Sequence, residues 1–298
     1  MLHLGRISPL SPLYSSDIHH IGPQKVLLLN MKVYKFGGTS VGSPERMKEV
    51  SRLITEDGEP KVVVLSAMSG TTNSLVEIAD YLRKGNPEGA SNMVNRLHNL
   101  YKQHLPLLYS KEETTTKVRE RLDDIFLQLH EFRTREFSEA DEKAILAQGE
   151  IMSTNMVTEY LKECGVKAIL LPALDYMRLD VNGEPDLPYI RERLAYLLDK
   201  NPNYDIYITQ GFICRNADGQ IDNLQRGGSD YTASLIGAAI RANEIQIWTD
   251  IDGMHNNDPR FVEGTTPVRQ LNFEEAAELA YFGAKILHPT CVQPARYA

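Results

Sequence analysis

The sequence KVYKFGGTSVGSPER, residues 32–46, decides the fold because it joins a strand to a helix through two glycines. Its first five residues indicate a short strand that ends at Gly37, and Ser43 followed by Pro44 is a typical helix start. A strand, a glycine turn and a helix N-terminus together present backbone N–H groups and the positive end of the helix dipole to an anion. The pattern therefore predicts a phosphate-binding turn, with Lys35 two residues ahead of the glycines.

Strand-like apolar runs alternate with helical patterns along the rest of the chain. This alternation predicts an α/β fold, a three-layer sandwich with a mostly parallel central sheet between helices. A second helix is expected to be capped by Thr72 and Asn73, and residues 87–137, which lack any strand signal, predict a helical insertion. The near-continuous apolar runs that predict buried parallel strands are 61–66, 167–172, 205–210 and 244–250.

Length and composition limit the class of protein. The 298 residues suffice for one large α/β domain or two smaller ones, and 32 basic against 40 acidic residues give a net charge of −8. An acidic surface argues against non-specific binding to nucleic acid or to an anionic membrane. No apolar run is long enough for a transmembrane helix. Three widely spaced cysteines suit a reduced, cytoplasmic protein.

The first 30 residues differ from the remainder of the chain. They mix prolines, serines and a histidine pair without a helical or strand period, and they lack the charged start and apolar block of a signal peptide. We expect residues 1–30 to form a disordered tail and the folded domain to occupy residues 31–298.

A second glycine turn, QRGGSDYTAS, stands at residues 225–234. One such turn is more often a simple connection, but two glycine pairs at helix starts, each closely preceded by a cation, are stronger evidence for phosphate binding. The common nucleotide motifs are absent. Gly37 and Gly42 have the spacing of a Walker loop, but Ser43 and Pro44 follow where Lys-Ser/Thr is required, and no Gly-x-Gly occurs.

Three other features are ambiguous when each is taken alone. Asp250 ends a predicted strand, where open α/β sheets bind ligands, and Arg260 follows a turn, yet both could serve only loop structure. Lys285, just after a glycine, could be an ordinary surface lysine. Glu150, beside Gly149 on a helical pattern, would usually be solvated.

Taken together and in this order, these segments resemble the amino-acid kinase family, and within it the aspartate kinases. The resemblance runs from residue 31 to the last residue. The motifs that carry it are KFGGTSV (35–41), VVLSAMSGTTN (63–73), QGE (148–150), QGF (210–212), RGGSD (226–230), WTDIDG (248–253), DPR (258–260) and FGAKILHP (282–289).

The resemblance implies a role for particular residues. It makes Lys35, Asp230 and Lys285 the catalytic residues. Two positions depart from the common pattern: Gln225 where a glycine is frequent, and His255 where a tyrosine often stands. The implied ATP contacts are Lys35, Phe36, Gly37, Gly38, Thr249, Asp250, His255, Arg260, Lys285 and Ile286. The implied substrate contacts are Ser66, Thr72, Glu150, Phe212, Arg226, Gly227 and Ser229.

The implied reaction is ATP-dependent phosphorylation of the L-aspartate side-chain carboxylate to 4-phospho-L-aspartate, the first step of lysine, threonine and methionine biosynthesis. A carboxylate with a pKa of about 3.9 is already ionised at neutral pH, so no general base is required. Positioning and cationic stabilisation remain, from Lys35, Lys285 and Mg²⁺ carried with ATP, with Asp230 orienting the lysines. Arg226 and Glu150 suit the substrate's α-carboxylate and α-ammonium groups. No metal ion held by the protein itself is expected.

Other interpretations remain at this stage. The chain could phosphorylate a different acid, as a glutamate 5-kinase-like enzyme, or be a catalytically silent regulatory subunit. The oligomeric state is open, with a homo-oligomer as one option. Because the chain stops just after the kinase motifs, the C-terminal ACT regulatory domains of aspartate kinases are expected to be absent, and with them inhibition by lysine or threonine.

Overall fold

The computed structural model describes residues 2–4, 31–224, 227–249, 253, 255–257, 261–282, 291 and 294. The strands are β1 (Leu2–Leu4), β2 (Lys32–Phe36), β3 (Lys61–Leu65), β4 (Ala168–Leu170), β5 (Ile206–Gln210), β6 (Ile213–Arg215), β7 (Ile221–Asn223) and β8 (Glu244–Trp248). The main sheet has the strand order β1-β8-β2-β3-β5-β4, and a separate hairpin pairs β6 with β7. All pairs in the main sheet are parallel except β1–β8.

Helices follow most of the strands. They are α1 (Pro44–Thr55), α2 (Thr71–Arg83), α3 (Pro87–Leu108), α4 (Glu112–Glu131), α5 (Glu139–Glu163), α6 (Leu187–Lys200), α7 (Gly228–Ile240) and α8 (Phe273–Phe282), with 3₁₀ turns at Phe132–Thr134 and Ala173–Asp175. Among the residues described, no helix is both long and apolar enough to cross a membrane.

The sheet lies between two helical layers, as the sequence predicted. Side chains alternate along a strand, so Tyr34 and Phe36 pack with helices α1 to α5, while Val33 faces the opposite side with α6 and α7. Val62 and Val63 of β3 are both fully buried, on opposite faces. A central strand covered on both faces needs apolar residues throughout, which explains the near-continuous apolar runs.

The two helix starts predicted from sequence have different outcomes. At α1 the Ser43 hydroxyl accepts a hydrogen bond from the Arg46 N–H at 3.4 Å, with Pro44 in the first turn, as predicted. The prediction for α2 is wrong, because the helix begins at Thr71 and its N-cap is Gly70 with a φ of 83°. Only glycine adopts that left-handed conformation readily, so it marks the boundary instead of Thr72.

Two other regions bear on the predicted domain organisation. Residues 87–137 contain α3 and α4, which pack on the α1–α2–α5 layer; that the pair is an insertion stays a prediction. In the segment expected to be disordered, Leu2–Leu4 instead pair antiparallel with β8 and extend the sheet edge. Residues 5–30 lie outside the described part of the chain.

Candidate active site

The carboxyl ends of β2, β3 and β5 and the first turns of α2 and α7 surround one cavity of about 360 Å³. This is the edge of a parallel sheet at which α/β proteins bind ligands. Its lining combines a lysine, two carboxylates, several hydroxyls and exposed backbone. The lining residues are Lys35, Gly38, Ser66, Ala67, Met68, Ser69, Gly70, Thr72, Glu150, Phe212, Gly227, Gly228, Ser229 and Asp230.

Lys35 forms an ion pair across the cavity wall. It lies near the end of β2, and its Nζ is 2.6 Å from Oδ1 of Asp230 in the first turn of α7. The side chains are 12% and 14% exposed, so the pair is largely withdrawn from solvent while still lining the cavity. An ammonium group has three N–H donors, and the carboxylate fixes its position without using all of them. The remaining donors suit an anionic ligand.

The glycine turn after β2 packs directly on the segment that follows β3. The Ser69 N–H donates to the Gly38 carbonyl at 3.1 Å, and a Cβ on Gly38 would lie 2.8 Å from the Ala67 carbonyl oxygen. No side chain fits in that space. The requirement for glycine here therefore comes from the close approach of two backbone segments, and it brings both of them to the same cavity.

Glu150 reaches the cavity from α5. The residue is only 4% exposed, and its Oε1 accepts a hydrogen bond from the Ala67 N–H at 3.1 Å, whereas Oε2 has no hydrogen-bond partner among the described residues. Burial raises the pKa of the Glu150 carboxyl to about 7, against the effect of the backbone hydrogen bonds. Gly149 lets α5 approach this closely, because a Cβ there would lie 2.7 Å from Cβ of Ala67. A buried carboxylate with a free oxygen suits a cationic group of a ligand.

Two serines connect the walls of the cavity. The Ser66 hydroxyl, just after β3, donates to the Ser229 hydroxyl of α7 at 2.9 Å. The contact depends on Gly211 after β5, since a Cβ there would lie 2.8 Å from Cα of Ser229. Three chain segments, far apart in sequence, thereby meet beside one cavity.

The two helices that begin at the cavity lack side-chain caps. Gly70 and Gly227 occupy the N-cap positions of α2 and α7 with φ values of 83° and 77°, and neither start has a side-chain cap hydrogen bond. Helix α4, which does not begin at the cavity, also lacks one. Uncapped N–H groups that face a cavity favour an anionic ligand there. By contrast, α1, α3, α5 and α6 are capped by Ser43, Asn86, Ser138 and Asp186.

Most of the described candidate residues converge on this cavity. Gly37 is adjacent to it, since a Cβ there would lie 3.5 Å from Lys35 Nζ. Phe36 is an exception: its side chain is 1% exposed and stacks on Trp248 in the core, so only its backbone reaches this edge. The predicted residues that line the cavity are Lys35, Gly38, Ser66, Thr72, Glu150, Phe212, Gly227, Ser229 and Asp230.

The predicted nucleotide contacts toward the C-terminus are only partly described. Thr249 follows β8, the parallel neighbour of β2, and so lies at the same edge of the sheet. His255 is 7% exposed, and its Nδ1 lies 2.9 Å from the Thr265 hydroxyl. The remaining candidates, together with Gln225, lie outside the described residues: Arg226, Asp250, Arg260, Lys285 and Ile286.

Sequence reasoning missed five residues that line the cavity. Four of them, Ala67, Met68, Ser69 and Gly70, lie between the predicted contacts Ser66 and Thr72 in the turn from β3 to α2. The signal was present, because that whole turn lies at the carboxyl end of a predicted parallel strand. The fifth, Gly228, belongs to the second glycine turn.

Comparison with known proteins places this site in a family. The sequence matches the amino acid kinase family over residues 30–298. The chain therefore belongs to the amino acid kinase family, and its three-layer fold is consistent with that class.

Individual relatives narrow the comparison to one branch. Lysine-sensitive aspartokinase 3 of Escherichia coli is 35% identical over 88% of this chain and 58% of that protein, and chloroplastic aspartokinase 1 of Arabidopsis thaliana is 38% identical over 89% and 48%. The crystal structure of E. coli aspartokinase III in complex with aspartate and ADP aligns with a TM-score of 0.80 and 34% identity, covering 90% of this chain and 60% of that one. The chain spans about half the length of the curated relatives it matches.

Proposed function

We propose that this chain carries the catalytic site of an aspartate kinase, which transfers the γ-phosphoryl group of ATP to the side-chain carboxylate of L-aspartate. The observation that carries the proposal is the placement of the Lys35–Asp230 pair and the half-satisfied Glu150 carboxylate on one cavity. A cation for a phosphoryl group and an anion for an α-ammonium group are the two recognition elements that an amino-acid kinase requires. The similarity to aspartokinases selects aspartate among the amino acids.

The proposed chemistry needs stabilisation of charge more than proton transfer. The aspartate carboxylate is ionised at neutral pH and can attack phosphorus directly, but it must approach a polyanion. Lys35 would supply an ammonium group where negative charge develops on the transferring oxygens. Its ion pair with Asp230 supports this role, because the carboxylate fixes the position of the ammonium group. The uncapped N-termini of α2 and α7 add backbone N–H donors to the same cavity.

The part of the cavity that binds aspartate, called here the acid subsite, is formed in this proposal by Glu150, Ser66, Arg226 and Ser229. The free oxygen of Glu150 would accept a hydrogen bond from the substrate ammonium, and the hydroxyls of Ser66 and Ser229 would contact the substrate. Arg226 remains the predicted partner of the α-carboxylate. Because charged groups in a buried site interact strongly, an analogue of aspartate without the α-ammonium group should bind poorly.

Mg²⁺ belongs to the nucleotide in this proposal. The described residues contain no group of three or more His, Cys, Asp or Glu side chains that could hold a metal ion. Mg²⁺ is commonly held by substrate phosphates and water with few protein ligands, and it would supply neutralisation of the phosphate charge. Asp230 is already engaged by Lys35. Several expectations remain predictions. They are the catalytic role of Lys285, the catalytic domain at 31–298, a cytoplasmic location, and the nucleotide contacts at Thr249, Asp250, His255, Arg260, Lys285 and Ile286.

One assay tests the proposal against its alternatives. The full chain is incubated with Mg-ATP and aspartate, glutamate or UMP in parallel, and ADP release is measured. Hydroxylamine is added to trap an acyl phosphate as its hydroxamate, which separates carboxylate phosphorylation from ATP hydrolysis. We expect ADP and hydroxamate with aspartate alone. Turnover with glutamate or UMP in place of aspartate would assign another substrate, and no turnover with any of them would favour a regulatory subunit.

A further inference from the structure

The backbone is strained at Phe212, where β5 turns into the hairpin. Phe212 has a φ of 68°, one of two positive φ values among non-glycine residues of the described chain. The Ile213 N–H donates to the Gly211 carbonyl at 2.7 Å, so residues 211–213 form a γ-turn, called here the Phe212 turn. A bulky residue in this region of φ is disfavoured and persists only where its surroundings fix it. Phe212 also lines the cavity, so the strain lies in the proposed substrate site.

Four hydrogen bonds between described residues hold the Phe212 turn. Three join backbone groups: Ile213 N–H to Gly211, Gly211 N–H to the Leu65 carbonyl at 2.9 Å, and Leu224 N–H to the Phe212 carbonyl at 2.7 Å. The fourth is the donation from the Phe212 N–H to the Thr232 hydroxyl at 3.0 Å. It is the one of the four that uses a side chain, and therefore the one that a side-chain substitution can remove directly.

The hydroxyl of Thr232 is fixed in orientation by its own helix. Thr232 is fully buried in α7, and its Oγ1 donates to the Gly228 carbonyl, four residues earlier, at 2.7 Å. With its single proton committed to Gly228, the oxygen can only accept from Phe212. One hydroxyl therefore links the strained turn to the first turn of α7, which carries Ser229 and Asp230.

The packing at this junction leaves little freedom. A Cβ on Gly228 would lie 2.7 Å from Cδ2 of Phe212 and 3.2 Å from its Cα. The aromatic ring thus lies directly against the helix backbone, and any relaxation of the turn changes where the ring borders the cavity. Since an unpaired buried N–H is costly, loss of the Thr232 hydroxyl favours such a relaxation.

We infer that Thr232 is a positioning residue for aspartate: its hydroxyl holds the strained Phe212 turn against α7 and so fixes the wall of the acid subsite. This inference rests on the proposed function. Thr232 itself does not line the cavity, so its effect passes through Phe212. The expected consequence is selective, with a weaker hold on aspartate and little change in the use of ATP.

The test compares Thr232→Val, which keeps the shape but lacks the hydroxyl, with Thr232→Ser, which keeps the hydroxyl. The matched control is Thr158→Val in α5, another buried threonine whose hydroxyl donates to the carbonyl four residues earlier, Thr154 at 2.7 Å. We expect Thr232→Val to raise KM for aspartate about tenfold, with KM for ATP and kcat changed less than about threefold. Thr232→Ser and Thr158→Val should stay near wild type.

Hydrogen exchange of the unliganded protein supplies a readout that needs no turnover. Exchange at the Phe212 amide should be faster in Thr232→Val than in wild type or Thr232→Ser. If wild-type protein does not phosphorylate aspartate, the proposed function fails, and exchange alone then decides whether Thr232 fixes the turn. Unchanged exchange would overturn the inference, as would equal rises in KM for aspartate and ATP.

Folding of the variant is controlled with a second substitution. Thr232→Ala removes the same hydroxyl without placing a second methyl group beside the ring, and it should reproduce the selective rise in KM. If neither hydroxyl-free variant folds while Thr232→Ser does, the hydroxyl serves stability in general, and the positioning role is wrong.

Discussion

Two lysines on neighbouring strands of the same sheet show how position separates function from structure. Lys35 lies near the carboxyl end of β2 and is 12% exposed, and Lys61 begins β3 at the opposite edge and is fully buried. Lys61 donates to the carbonyls of Ile54 at 2.9 Å and Glu59 at 2.6 Å and pairs with Asp57. All three of its N–H groups are used within the protein, whereas Lys35 is paired with a single carboxylate among the residues that the structure describes.

The difference follows from what each edge of the sheet provides. At the amino edge, Lys61 meets the C-terminal end of α1, where free carbonyls and the negative end of the helix dipole favour a cation. At the carboxyl edge, Lys35 lies beside the N-terminal end of α7. The helix N–H groups there are donors and cannot accept from an ammonium group, so the Asp230 carboxylate is its partner. A lysine with N–H groups left over beside helix N-termini is suited to a bound anion, and a saturated lysine is suited to structure.

The largest effect, a loss of kcat, is expected when Lys35 is substituted. Lys35→Ala should lower kcat by about 10²–10³ or more with KM for aspartate nearly unchanged, because the ammonium acts on charge that develops in the transition state. Steady-state kinetics with aspartate measures this, and a thermal unfolding curve checks that the variant still folds, because the substitution leaves the largely buried Asp230 carboxylate without its partner. A raised KM with normal kcat would mean that Lys35 only binds substrate.

The reciprocal variant, Lys61→Met, should lose stability and keep catalysis. It leaves the Ile54 and Glu59 carbonyls and the Asp57 carboxylate without their shared partner, at a cost of about 2–4 kcal/mol in the free energy of unfolding. Denaturant titration measures the loss, and kcat per folded molecule should stay within about twofold of wild type. A kcat reduced as much as in Lys35→Ala would show that the two edges are not separable.

Glu150→Gln is expected to have opposite effects on binding and stability. KM for aspartate should rise by about tenfold or more, with KM for ATP changed less, because the charge facing the substrate ammonium is lost. In wild type, KM for aspartate should also rise as pH falls below about 7, where the Glu150 carboxyl becomes protonated. Equal effects on both substrates would indicate a structural role.

The stability of the unliganded Glu150→Gln variant tests separately whether the buried carboxylate of Glu150 is costly to ionise. Burial raises the pKa of Glu150 above its ordinary value of 4.5, so ionisation costs folding free energy, and stability is lost as pH rises from about 4.5 through about 7. Glutamine carries no such penalty. At pH 8 the variant should be more stable than wild type, by on the order of 1–3 kcal/mol, and the gap should close near pH 4. Denaturant titrations at the two pH values test the sign.

The smallest effect on stability is expected at Lys32, which pairs with Asp57 at 3.5 Å and with Glu59. These two residues also bind Lys61, and the four residues are called here the Lys61 cluster. Its side chain is 24% exposed, so solvent screens the pairs and Lys32→Ala should cost less than about 1 kcal/mol. The measurement is the free energy of unfolding at low and at high salt, and the small loss should shrink with salt. A loss as large as that of Lys61→Met would mean that the whole cluster acts as one unit.

Sequence patterns were sufficient for features that depend on neighbouring residues. The strands at 61–66, 167–172, 205–210 and 244–250 were predicted to within a few residues, because strands covered on both faces must be apolar throughout. The Ser43 cap was also predicted correctly, because its hydrogen-bond partner, the Arg46 N–H, lies only three residues away. The Thr72 cap failed because the helix begins one residue earlier, at Thr71 behind the left-handed Gly70. Thr71 is buried there, and its hydroxyl is hydrogen-bonded to Tyr101, 30 positions away.

Lys35 and Lys61 mark the boundary between what the sequence determined and what only the tertiary structure decided. The sequence by itself determined the alternating strands and helices, the two glycine turns and the candidate lysine ahead of the first turn. It gave no sign that Lys61 would be saturated, that the second oxygen of Glu150 would find no partner among the described residues, or that the Thr232 hydroxyl would accept from the Phe212 N–H. Each of those outcomes depends on counting hydrogen-bond partners supplied by distant segments, and a partner count exists only once the chain has folded and water has been excluded.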